Sequence, residues 1–362
     1  MRVNYRLNVT TRVYLTPPLG EPVVRDIVDG RWAEITDQPS MSVGRGLWAL
    51  PGLVDAHSHL AAAELDYQPG DLVGAIARAK DALVGGVTLL LDKGWRDDTT
   101  IRLIDTVPEG RRPDIEAASV LIAARDGYYP GFAREVDAST LEAETVLAAS
   151  EGRGWVKLVG DWPRRGQGPV ANFTESELRA AVATAGERGA RVAIHTMARE
   201  TPSVAVRAGV HSIEHGLFLT ETDIELLGSR SGMWVPTLLR VEATIAQLGE
   251  SSSGGRLLVE GLANVRRLLG PAMEAGVHVL AGTDLVGSPA DIVDEAVRFL
   301  DYGLTPSQVV DAVSIAPRLA LGRAVLFDPG SAADAVLYPE NPVRNPGVLR
   351  HPTIVIRQGQ LI

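Results

Sequence analysis

The stretch Leu50-Pro51-Gly52-Leu53-Val54-Asp55-Ala56-His57-Ser58-His59-Leu60 reads as a short buried strand that starts after a Pro-Gly break and ends on two histidines. Residues at i and i+2 of a strand point to the same side. Their Cα atoms lie roughly 6.6 Å apart at about 3.3 Å rise per residue, so both rings can meet one cation at about 2.0–2.1 Å. A lone His-x-His also arises by chance, so the metal reading depends on ligands supplied elsewhere in the chain.

Outward from this strand, short β-branched runs alternate with longer amphipathic, Ala-rich stretches. Strands are expected over 53–56, 87–92, 114–123, 155–159, 191–195, 211–214, 233–236 and 277–282, with helices among them at 71–84, 138–150, 175–187 and 256–274. Gly86, Gly154, Gly189, Gly209, Gly232 and Gly276 each stand just before a strand, as expected where a helix ends and the chain re-enters a sheet. Eight such alternations predict an α/β fold, a (β/α)8 TIM barrel over residues 49–324. The alternative, a doubly wound open sheet, lacks support from any G-x-G-x-x-G fingerprint. Residues 1–48 and 325–362 are rich in β-formers and turns, and Gly30–Ile35 and Thr353–Ile362 read as hairpin strands. The two chain ends are expected to meet as one small β-sandwich-like domain. Ser251-Ser-Ser-Gly-Gly255 reads as a flexible loop.

With 362 residues and 45% hydrophobic content, the chain can bury a large core. No apolar run approaches the roughly 20 residues that span a bilayer. The first residues lack the apolar stretch of a signal peptide, and a cytoplasmic protein is expected. A net charge of −10 argues against nucleic acid and anionic membrane surfaces as partners. The absence of cysteine excludes disulfides and thiolate ligands, leaving histidine and carboxylate chemistry for any metal.

Four further positions stand at the C-terminal ends of expected strands: Lys157, His195, His215 and Asp284. Barrel enzymes collect their chemistry on that rim, because the βα loops converge there. Each position has a plainer reading as well. A single His is often structural, Asp284 could cap a helix, and Lys157 could extend to water. The coincidence of all six residues, with His57 and His59, on one rim favours a shared site. His211 lies about 13 Å from His215 at 3.3 Å per residue, and His278 stands at the opposite mouth. Both, with His351, are assigned to structure or surface.

The segments Pro51-Gly-Leu-Val-Asp-Ala-His-Ser-His59, Val156-Lys-Leu158, Ser212-Ile-Glu-His-Gly216, Ala281-Gly-Thr-Asp284 and Ala316-Pro-Arg-Leu-Ala-Leu-Gly-Arg323 resemble those of the amidohydrolase superfamily, in its imidazolonepropionase-like and prolidase-like branch. The resemblance covers essentially the whole chain, including the small sheet domain built from both ends. It implies two divalent ions, with His57 and His59 on the more buried one and His195 and His215 on the more exposed one. It also implies that Lys157 is carboxylated by carbon dioxide and bridges the ions, and that Asp284 binds the first ion and handles protons. Chemistry agrees with this role for Lys157. An ammonium with a pKa of about 10.4 cannot coordinate a cation, whereas burial beside metal favours a neutral amine that carbon dioxide converts to an anionic carbamate.

The implied reaction is hydrolysis of an amide, or of an ester or lactone, by hydroxide generated between the ions. The more exposed ion would polarise the carbonyl, His215 is counted with Asp284 as catalytic, and Asp284 would act as general base and then acid. Zinc is the default metal for these donors, with manganese, iron or cobalt as alternatives. Arg125, Tyr128, Trp162 and Arg164, in the loops after the third and fourth strands, are candidate substrate contacts, with Lys93 and Trp95 as weaker ones. Two rival functions are a mononuclear heterocycle deaminase and a non-catalytic binding protein on the same barrel; the lysine in Val156-Lys-Leu158 tilts the reading towards hydrolysis. The expected partner is a small-molecule substrate, and a homo-oligomer is compatible with the sequence.

Overall fold

The computed structural model describes residues 10–36, 39–65, 68–164 and 167–362. Residues 1–9 of the expected terminal β region, and Arg165 and Gly166 of the loop after Lys157, lie outside the described residues. The fold is α/β, with parallel strands in two groups. Leu53–Ser58, Val87–Asp92 and Asp114–Ala117 form a three-stranded sheet. Arg134–Val136, Leu121–Ala124, Trp155–Val159, Arg191–Thr196, Ser212–His215, Met233–Val235 and His278–Val279 form a seven-stranded one, in that order.

The two sheets meet at both edges. Ala56 N–H donates to Ala281 O at 2.9 Å and Asp284 N–H to His57 O at 2.8 Å. On the other side, Ala117 bridges Gly154, and Trp95 bridges Val120. The single strand expected over 114–123 is therefore two. Its first half pairs with Val87–Asp92, while Leu121 and Ile122 pair with Lys157 and Leu158, so the chain changes sheets between them.

Side-chain alternation divides the core. Val156, Leu158, Val192, Ile194 and Ile213 pack outward against the helices. Trp155, Ala193, Met233, Val235, Val54 and Ala56 pack inward against one another. The helices Leu72–Val84, Glu175–Glu187 and Ser253–Glu274 stand close to their expected positions. Ser251–Gly255 is a correction: Ser252 Oγ accepts from Gly255 N–H at 2.9 Å and caps the last of these helices, which takes in both glycines.

The chain ends form two small sheets rather than one. Thr11–Leu15, Val23–Val28, Arg31–Ala33 and Met41–Val43 make the first. Trp48–Leu50 joins Ala335–Tyr338, Ile354–Arg357 and Gln360–Leu361 in the second. Val13, Leu15, Ile27 and Trp32 pack with Phe327, Ala335, Leu337 and Ile356 in a core shared by both ends of the chain. No helix among the described residues is long and apolar enough to cross a membrane.

Candidate metal centre

Strict alternation along Trp155–Val159 and Arg191–Thr196 turns Lys157 and His195 inward, because their neighbours Val156, Leu158, Val192 and Ile194 all face the helices. His57 needs a further device. Val54 and Ala56 already point inward, so an unbroken strand would send His57 outward beside Leu53. The pairing with Val87–Asp92 slips between Asp55 and Ser58, and this irregularity re-aims His57 and His59 into the cavity. Gly282 makes room: a Cβ there would stand 2.5 Å from His57 Cβ. His215 and Asp284 enter through left-handed backbone, at φ 62° and 43°, and Thr237 and Leu285 share that conformation at 47° and 63°. Such residues cost about 1–3 kcal/mol each and persist where surrounding bonds hold them. Here Trp234 Nε1 donates to His215 O at 2.8 Å, and Arg240 Nε donates to Asp284 O at 2.6 Å.

The result is a cavity of about 130 Å3 lined by His57, His59, Lys157, His195, His215 and Asp284. Asp284 Oδ1 lies 3.4 Å from both His57 Nε2 and His59 Nε2. Facing donor atoms of these three residues fall within 4.8 Å of one another. His215 Nε2 and His195 Nδ1 approach to 2.9 Å. Lys157 Nζ is buried and has no hydrogen-bond partner among the described residues. An all-nitrogen-and-oxygen donor set that includes an unsatisfied buried amine fits divalent cations.

The remaining ring nitrogens are held from outside. His59 Nδ1 is 2.6 Å from Gly94 O, and His215 Nδ1 is 2.6 Å from Thr237 Oγ1. His57 Nδ1 is 2.6 Å from Glu214 Oε2. Glu214 is fully buried and faces Lys93 Nζ at 3.3 Å, with Ser212 Oγ donating to it at 2.6 Å. Partners of this kind fix the tautomer that leaves the inward nitrogen free.

Burial is the main cause that pushes His57 down to about 4 and His195 to about 3, so both are neutral at pH 7. Burial also pushes the Lys157 amine down to about 8, opposed by Glu214 and assisted by Lys93. For Asp284 burial works upward, but His57, His59 and His215 outweigh it and hold the carboxyl well below its usual range. Glu214 behaves likewise, with Lys93, Lys157 and His57 overcoming burial.

Among the candidate substrate contacts, Tyr128 and Trp162 line the cavity. Arg125 does not: its side chain is 74% exposed and pairs with Asp137 at 3.2 Å. Arg164 is turned to Asn172 Oδ1 at 3.3 Å and is absent from the lining. Trp95 lines the cavity, while Lys93 lies beneath it on Glu214 and over the Trp155 ring at 4.4 Å. The sequence reading gave no role to Glu214 or Arg240. An acidic residue inside an apolar strand, directly before a candidate ligand, was the available signal for Glu214.

The chain belongs to the amidohydrolase family, whose sequence profile matches residues 48–362. It is 37% identical over 346 residues to an uncharacterized protein of Mycobacterium tuberculosis, covering 92% of this chain and 90% of that one. A crystal structure of a Xaa-Pro dipeptidase with bound methionine in the active site superposes with a TM-score of 0.81 at 22% identity, covering 98% and 99% of the two chains. Ochratoxinase of Aspergillus niger superposes with a TM-score of 0.79 at 20% identity, covering 97% and 95%. At these identities the structural likeness establishes the shared fold.

Proposed function

We propose that this protein is a metal-dependent amidohydrolase that cleaves a carbon–nitrogen bond of a small-molecule substrate. The scaffold is read as a closed (β/α)8 barrel, supported by the hydrogen bonds that join the two parallel sheets at both edges. The observation that carries the function is the convergence of six donors on one cavity, with the Lys157 amine buried and unpartnered among them. His57, His59 and Asp284 would hold one divalent ion, and His195 and His215 a second, with carboxylated Lys157 between them. Zinc suits these donors. Bound divalent ions lower the pKa of water towards about 7 and polarise a carbonyl oxygen.

The chain's own residues do the rest. Asp284, whose carboxyl sits well below its usual range, takes the proton of the attacking water and returns it to the leaving nitrogen. Glu214 holds His57 in the tautomer whose Nε2 faces the site. His215 is oriented by Thr237.

The test measures metal content by plasma mass spectrometry together with hydrolysis of a panel of N-acyl amino acids and simple amides. Two ions per chain and turnover are expected. Asp284→Asn should keep its circular-dichroism spectrum but lose about 10²–10⁴-fold in kcat, the range for a general acid–base group. One ion per chain would favour the mononuclear deaminase, because among the described residues His57, His59 and Asp284 form the group whose ligand atoms lie within 4.8 Å of one another. Near-normal kcat in Asp284→Asn with metal in place would overturn the proton-transfer role.

A further inference from the structure

One wall of the cavity is made of aromatic rings in a connected chain. Trp95 meets Phe132 edge-on at 4.7 Å between centroids, Phe132 meets Tyr128 at 5.6 Å, and Trp162 meets Tyr128 and Tyr129 at 4.5 and 4.6 Å. The chain of rings starts against His59 at 5.6 Å and ends against His195 at 6.0 Å, so it spans from one half of the donor cluster to the other. Only 5% of the sequence is aromatic, which makes this concentration a local feature. Trp95 and Phe132 are buried, as core rings are. Tyr128, Tyr129 and Trp162 are half-buried and turn the rest of their surface into the cavity.

The wall is also held in place. Asn172 Nδ2 donates to Gly127 O and to Val159 O, both at 2.8 Å, tying the loop that carries Tyr128 to the end of the Lys157 strand. The charged lining groups are Lys157 and Asp284 of the donor cluster and Arg240, which bonds through Nε to the Asp284 carbonyl. An anionic substituent against the aromatic wall would lose its hydration and meet negative ring faces. Ring faces and edges of this kind favour another ring.

We infer that the cavity seats a single aromatic ring of the substrate against Trp162, Tyr128 and Phe132, next to the bond that is cut. The inference rests on the hydrolase reading and names the substrate class for that same site.

The test titrates the zinc-loaded full-length protein calorimetrically with acetohydroxamate, cyclohexylacetohydroxamate and phenylacetohydroxamate, which share one metal-binding head. Phenylacetohydroxamate should bind about tenfold or more tightly than acetohydroxamate, and more tightly than the cyclohexyl compound. In Trp162→Ala and Tyr128→Ala the phenyl-to-methyl ratio should fall to within about threefold. Trp162→Phe, which keeps a ring on the wall, should restore most of it. Equal affinities in the wild type, or a preference that survives both alanine variants, would overturn the inference. Metal analysis of the same samples separates it from the reading beneath. A metal-free protein that still prefers the phenyl compound supports the ring seat and sinks the hydrolase, and a metal-loaded one without preference does the reverse.

Discussion

Glu214 Oε2 stands 2.6 Å from His57 Nδ1 while Oε1 faces Lys93 Nζ at 3.3 Å, so one buried carboxylate meets both a ring nitrogen and an ammonium. Truncating either partner of a buried pair leaves a charge without compensation and costs about 3–5 kcal/mol, whereas replacing both can be nearly neutral. Lys93→Met and Glu214→Gln should each lower the urea midpoint strongly, and the double variant should regain most of the loss. Metal affinity should behave differently. Both variants that lack Glu214 should bind metal about 10–100-fold more weakly, because the His57 tautomer is no longer held. Recovery of metal binding together with stability in the double variant would show that Glu214 serves the fold alone. In the sequence the ligand candidates stood out by residue type at strand ends. Glu214 did not, because its significance is a contact with His57, which lies on a different strand.

At the scale of the element, period-two alternation accounts for Lys157 and His195 and for the apolar residues around them. It does not account for His57, His215 or Asp284, which a slipped register and left-handed backbone turn inward. Gly282 is the element-level counterpart of that slip, since its Cα sits where any Cβ would strike His57 Cβ at 2.5 Å and His57 N at 2.9 Å. Gly282→Ala should therefore destabilise by about 1–3 kcal/mol, the usual cost of overpacking, and should also reduce metal content. Thermal melts and metal analysis on one sample check both. A variant with full metal and an unchanged melting temperature would show that the strand relaxes freely there.

At the scale of the whole molecule, the two chain ends share a core, and Asp26 ties together the N-terminal sheet that supplies half of it. Arg12 Nε and Nη2 donate to the two Asp26 oxygens at 2.8 and 3.0 Å, and Thr36 adds donors from its backbone and hydroxyl. The Arg12 bonds lead the effects that lower the Asp26 carboxyl from 3.8 to about 2. Because the folded value lies below the unfolded one, the stabilisation is complete above pH 3.8 and is lost as pH falls through about 2. Wild type should exceed Asp26→Asn in urea midpoint at about pH 5, and the gap should close towards about pH 2. A gap independent of pH would mean that the carboxylate charge contributes nothing to the stability of that sheet.

By itself the sequence determined the alternation of strands and helices, the strand ends at which His57, His59, Lys157, His195, His215 and Asp284 stand, and the nitrogen-and-oxygen character of any metal site. These are local properties: residue type, period and neighbouring turn signals. Only the tertiary structure decided that the strand expected over 114–123 divides between two sheets, and that the terminal strands divide between two small sheets, with Trp48–Leu50 paired to Ala335–Tyr338. It alone turned Arg125 out to Asp137 and Arg164 to Asn172, and it alone assembled the aromatic wall. The physical reason is common to these cases. Loop side chains, register slips and cross-strand partners take their positions from residues distant in the chain, and no local periodicity encodes such contacts.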